Sequence, residues 1–203
     1  MREVPGKMMK KMINILLILS FIGIGCVNVN EEEQPNIISS YGFNIYFEGS
    51  QTYSKAEIDF SIGTVIETAE DVASEDFSGG SIMSSISPFA ENMSIYIVDE
   101  ETGPKGSCAT FDNPERSCRG FRCEYSSSKW CEGLYDPNTI EIRISHKKCI
   151  GKSALVHELI HLFSHVKNRD GDINHLNYKY FGNYHSIEVA AKKIITETLC
   201  TQD

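Results

Sequence analysis

From Thr139 to Ser145 apolar and polar residues alternate, with Ile140, Ile142 and Ile144 on one face and Glu141 and Arg143 on the other. That period of two predicts a strand buried on one side. Residues 42–49, GFNIYFEG, and residues 92–100, NMSIYIVDE, alternate in the same way and are rich in β-branched and aromatic side chains, so two further strands are expected. Elsewhere the period changes. Ile58, Ile62, Val65, Ile66, Ala69 and Val72 recur at helical intervals after Ser54 and Glu57, which stand at capping-box spacing; a helix over 55–73 follows. Leu155, Leu159, Leu162, Phe163 and Val166 form a second apolar stripe. Residues 187–199 read as a third helix, capped by Ser186.

Two stretches carry neither period. Residues 74–88, SEDFSGGSIMSSISP, read as loop from their Gly, Ser and Pro content. Between Glu100 and Asn138 lie four cysteines, Pro104, Pro114, Pro137 and the only tryptophan, Trp130. A segment this long without regular structure is expected to be cross-linked, functional or both. The succession of strands and helices makes the chain an α+β protein with a small mixed sheet, an insert and a carboxyl-terminal helix.

The 203 residues, 41% hydrophobic, suffice for one domain with a core. Residues 1–25 combine Arg2, Lys7, Lys10 and Lys11 with an apolar run from Ile13 to Ile24, the composition of an export signal. The run is shorter than the ~20 residues that span a bilayer. Gly25 followed by Cys26 resembles a bacterial lipoprotein signal, although Gly23 stands where a leucine is usual. Cys26 would then carry the lipid, with ordinary signal cleavage as the alternative. Residues 26–36, polar and acidic, read as a tether, and 37–203 as the folded domain. This organisation places the protein outside the cytoplasm, at a bacterial membrane, cell surface or periplasm, or secreted.

The net charge is −9; residues 1–25 contribute four basic and one acidic side chain, a net +3, which leaves −12 on the rest. An acidic body repels phosphate backbones, so a nucleic acid partner is not expected. Setting Cys26 aside, Cys108, Cys118, Cys123, Cys131, Cys149 and Cys200 remain. An even number in an exported chain predicts disulfides, whose pairing the sequence leaves open. The spacing within 118–131 lacks the paired knuckles of a cysteine zinc site.

Within residues 155–165, LVHELIHLFSH, lies His157-Glu158-Leu159-Ile160-His161. Histidines four apart on a helix project from one face, close enough to share a zinc ion (Zn2+), and Glu158 can reach a water on that ion without being a ligand. Zinc would acidify the water and Glu158 would take its proton, giving attack on a carbonyl. The bland alternative is a helix whose histidines bond neighbouring carbonyls. His165, eight residues from His157 or about 12 Å along the axis, cannot join the same ion.

A catalytic zinc takes three protein ligands, and downstream of the motif stand Asp170, Asp172, His175, His185 and Glu188. His175 is the first choice, because the Gly171-Asp172 turn could return the chain toward the helix. Glu188 comes next, with its placement in a first helical turn as the competing explanation.

The motif resembles that of the zincin metallopeptidases, and the order of elements over residues 40–200 is similar to a minimal zincin domain. The metzincin subfamily does not fit, since Ser164 and Lys167 occupy its glycine and histidine positions. The resemblance implies a mixed sheet above the motif helix, zinc at the floor of a cleft, and a peptide or protein substrate extended along an edge strand. A late histidine followed by an aromatic, as in His175 and Phe181, also suits zincins, whereas the thermolysin-like branch would favour Glu188. The strands still missing would lie near Ala109–Phe111 or Ser127–Trp130. The insert would be a cleft wall with Trp130 or Tyr125 on substrate, or a stapled surface loop. Tyr178, Tyr180 and Tyr184 could offer a hydroxyl to an oxyanion. Two other functions stay open: a non-catalytic, disulfide-stapled binding module, and hydrolysis of a non-peptide amide or acyl substrate.

Overall fold

The computed structural model describes residues 34–73, 81–90, 92–123, 130–168, 171, 174–182 and 185–200. The leader, Cys26 and most of the tether lie outside them, as do Tyr125, Asp170, Asp172 and Tyr184. All described residues but Gln34 belong to a compact unit, Pro35–Asp203.

A five-stranded sheet takes the order β1 (Ile37–Ile38), β2 (Asn44–Glu48), β3 (Ser94–Val98), β8 (Glu141–Ser145), β7 (Gly133–Asp136). The three central strands are parallel and the two edges antiparallel. Parallel neighbours need long crossovers. Between β2 and β3 the crossover is α1 (Lys55–Ala73) with α2 (Ile82–Ala90); between β3 and β8 it is the insert. One face of the sheet is apolar, with Ile45, Ile95, Ile97, Ile142 and Ile144 at most 2% exposed. On the other face the register sets Tyr46 beside Tyr96 and Tyr96 beside Arg143. The tyrosine rings stack, and the guanidinium lies over Tyr96.

Helices α1, α3 (Leu155–Asn168) and α4 (Ile187–Leu199) complete the core with Ile58, Ile62, Val65, Leu159, Ile160, Phe163, Ala191 and Ile195. Burying one of these larger side chains, Ala191 apart, contributes about 1.5–3 kcal/mol. The expected capping box is present: Ser54 N–H donates to Glu57 Oε2 (2.8 Å), and Glu57 N–H donates to Ser54 Oγ (3.2 Å). Ser186 caps α4 by accepting from Val189 N–H.

Three local expectations change. The stretch read as loop contains α2, whose Ile82, Ile86 and Ala90 are fully buried. An i, i+4, i+8 stripe between serines outweighs their low propensity once it packs on α3. Ile140 has φ 58° and lies in the turn before β8, partly buried against the core, while Ile142 and Ile144 of the expected face are fully buried. The insert is regular in part: β4 (Glu101–Thr102), β5 (Arg119–Arg122) and β6 (Trp130–Cys131) form a separate antiparallel sheet, and β7 joins the main one. Of the strand expected over Ser127–Trp130, Trp130 starts β6 and residues 127–129 lie outside the described residues, whereas residues 109–111 form no strand.

All six remaining cysteines are paired, Cys108 with Cys118, Cys123 with Cys131 and Cys149 with Cys200, which removes the cysteine zinc site. Three disulfides fit an oxidising, extracytoplasmic compartment. No helix among the described residues is long and apolar enough to cross a membrane.

Candidate metal centre

Helix α3 begins where Ser153 Oγ accepts Leu155 N–H (3.2 Å). Leu155, Val156, Leu159, Ile160, Leu162 and Phe163 are each at most 1% exposed, so the helix cannot rotate without uncovering the core. The polar face is thereby fixed. His157 and His161 project from it with Nε2 atoms 3.1 Å apart. His175 comes from the following loop and brings its Nε2 to 3.2 Å from that of His161. The three donors lie within 4.8 Å of one another and could hold a metal ion. His161 is buried, His157 half-buried and His175 exposed, so the cluster opens to solvent on the side of His175.

The rings are held from behind. His161 Nδ1–H donates to the carbonyl of Gly171 (2.6 Å), and His157 Nδ1–H donates to Glu188 Oε1 (3.1 Å). With both Nδ1 protons committed, neutral rings turn Nε2 lone pairs toward each other at 3.1 Å, an arrangement that a shared metal ion or a proton on one of them would satisfy. Two nitrogens bound ~2.1 Å from one tetrahedral ion stand ~3.4 Å apart, near the two separations of 3.1 and 3.2 Å that involve His161. Phe181, 2% exposed, closes the apolar side of the cluster, its centroid 5.1, 4.9 and 4.5 Å from those of His157, His161 and His175.

Two left-handed residues shape the loop. Gly171 (φ 69°) turns its carbonyl onto His161 without steric cost, whereas His175 (φ 53°) carries backbone strain of about 1 kcal/mol to aim its ring. The loop is tied to α4: Ile187 N–H donates to Lys179 O (2.9 Å) and Glu188 N–H to Tyr180 O (3.1 Å).

Glu188, the alternative ligand, thus stands at the Nδ1 edge of His157, opposite the shared Nε2 atoms. It also accepts from Lys192 Nζ (2.8 Å). The bond from His157, joined by that of Lys192, holds its carboxyl down at about 2 against the effect of burial. Glu158 is 5% exposed. Its burial pushes the carboxyl up to about 7, opposed by the charges of His157 and Lys192. Among the described residues no hydrogen bond holds its carboxylate, which lies against Gly133 of β7. His185 is exposed and outside the cluster, and His165 packs edge-on against Tyr135 instead.

Tyr178 is exposed and Tyr180 buried. Trp130 packs against Gly103 with Arg122 over its ring. The sequence offered no sign of the Gly171 carbonyl or of Gly133, since neither position has a side chain to read. Compared with protein-family models, curated proteins and solved structures, the chain matches none.

Proposed function

We propose that the chain is a small zinc-dependent metallopeptidase of zincin type that acts outside the cytoplasm, with His157, His161 and His175 as ligands and Glu158 as general base and acid. The convergence of three imidazole Nε2 atoms beside a buried carboxylate carries this reading. Three imidazole nitrogens, with His161 Nε2 3.1 and 3.2 Å from the other two, are a donor set that suits zinc and would leave room for a water. When bound, the ion supplies a polarised carbonyl and an acidified water.

The remaining steps belong to the chain. Glu188 and the Gly171 carbonyl keep His157 and His161 in the tautomer that offers Nε2. Glu158, one position from a ligand and shielded from bulk water, takes a proton from the attacking water and returns it to the leaving amine. Strand β7 is the edge of the main sheet next to α3. Its outer side, which joins no further strand among the described residues, can bind an extended peptide by strand addition and lay the scissile bond along the cluster. The basic, apolar start and Cys26 support attachment to a membrane by an N-terminal lipid.

Protein purified without chelator should contain about one zinc per chain and cleave peptides. Glu158→Gln should retain the zinc and lose kcat by at least ~100-fold. Zinc-free wild type, or a Glu158→Gln variant as active as wild type, would overturn the reading and leave a disulfide-stapled binding module. Cleavage of simple amides or esters but of no peptide would reassign the substrate.

A further inference from the structure

We infer that Gly133 is a positioning residue for Glu158, a role that rests on the hydrolytic reading above. The missing side chain at this point of β7 leaves the space in which the carboxylate lies. A Cβ there would overlap Glu158 Oε1, stand 2.9 Å from Glu158 Cδ and lie 2.5 Å from Ala154 Cβ. The backbone does not explain the glycine, because its φ is outside the left-handed range that excludes side chains. Only room explains it.

Neither neighbouring element can withdraw. Strand β7 is locked to β8 in a register that sets Gly133 opposite Ile144, itself fully buried. The first turn of α3 is fixed by Leu155 and Val156, each 1% exposed, and by Glu158 N–H donating to Ala154 O (3.0 Å). A methyl group inserted between two immobile elements displaces whatever can turn. That is the Glu158 side chain, since packing alone sets its orientation. The three histidines are ordered from elsewhere, by Gly171, Glu188 and Phe181, and stay in place. A displacement of about 1 Å at a reacting group is enough to cost ~100-fold in rate.

The experiment compares wild type, Gly133→Ala and Gly133→Ala/Ala154→Gly, loaded with zinc or cobalt. The single variant should keep metal stoichiometry and the cobalt ligand-field spectrum, and lose kcat by ~100-fold with KM changed less than about threefold. Ala154→Gly removes the clash between strand and helix but not the overlap with Glu158. The double variant should therefore regain thermal stability while kcat stays low, and it carries the test if the single variant does not fold. Recovery of kcat together with stability, or a single variant within threefold of wild-type kcat, would overturn the proposal and leave Gly133 a packing residue. If wild type hydrolyses neither a peptide nor a simple amide or ester, the hydrolytic reading fails separately. Crystal structures then decide whether the Glu158 carboxylate has left β7 with the imidazoles unmoved, as expected, or is undisturbed, which refutes the role.

Discussion

In α3 and α4 nearly every turn sends a side chain into the core: Leu155, Leu159, Leu162 and Phe163 from one helix, Ile187, Ala191 and Ile195 from the other. From Glu101 to Cys131 the buried side chains among the described residues are Cys118, Phe121 and Cys123, while Phe111 is wholly exposed. The first region is ordered by apolar burial. The second lacks the area for that, and two short disulfide loops replace it. All three candidate ligands and Glu158 belong to the first region or the loop tied to it. A metal needs donors fixed to fractions of an ångström, which close packing provides and a pair of covalent staples on a surface sheet does not.

The third disulfide tests that division most strongly, because it lies in the region ordered by burial. Cys149 precedes the turn into α3, and Cys200 closes α4, which carries Glu188 and anchors the His175 loop. It spans 51 residues, against 10 and 8 for the other two. Loop-closure entropy then assigns it about 4 kcal/mol and each of the others about 2.5 kcal/mol. Replacing Cys149 and Cys200 by serine should lower stability by about that amount in chemical denaturation and also weaken zinc binding. Replacing Cys108 and Cys118 should loosen the insert to proteolysis and leave zinc affinity within threefold. Equal effects of the two replacements on zinc affinity would erase the distinction between the regions.

Glu188 comes next in size. Its carboxylate joins α4 to α3 through His157 Nδ1. Outer-shell partners of this kind are worth 10–100-fold in metal affinity. Glu188→Ala should weaken zinc by that factor in a competition titration with a chromophoric chelator. A larger loss, with no zinc retained at all, would mean that Glu188 is itself a ligand.

The same division governs how much could be read from sequence. Strands β2, β3 and β8 and helices α1, α3 and α4 announce themselves because each buries one face against a core, and that face recurs with a fixed period. His157, Glu158 and His161 were legible for the same reason, being set by helical spacing. His175 was one candidate among five, since the place of a loop histidine is fixed by a backbone angle and by hydrogen bonds to α4 that no local pattern encodes. Glu188 was visible as a carboxylate, but whether it faces the Nε2 or the Nδ1 side of His157 depends on how α4 docks. Helix α2 hid behind serines and Pro88, and β4, β5 and β6 are too short for a period to develop.

The smallest expected effect is at the insert's tip. Phe111 stands in a turn closed by Thr110 N–H donating to Asn113 O (3.0 Å) and by the Cys108–Cys118 bridge. Its side chain is wholly exposed, so folding takes no area of it from water and removing it forfeits no burial. Phe111→Ser should change stability by less than about 0.5 kcal/mol and leave zinc affinity unaltered. Trp130→Ala should cost more, because the indole packs on Gly103 and beneath Arg122, yet it too should spare the metal. If either substitution lowered zinc affinity by tenfold or more, the insert would reach the cluster after all. The two regions would then be one cooperative site.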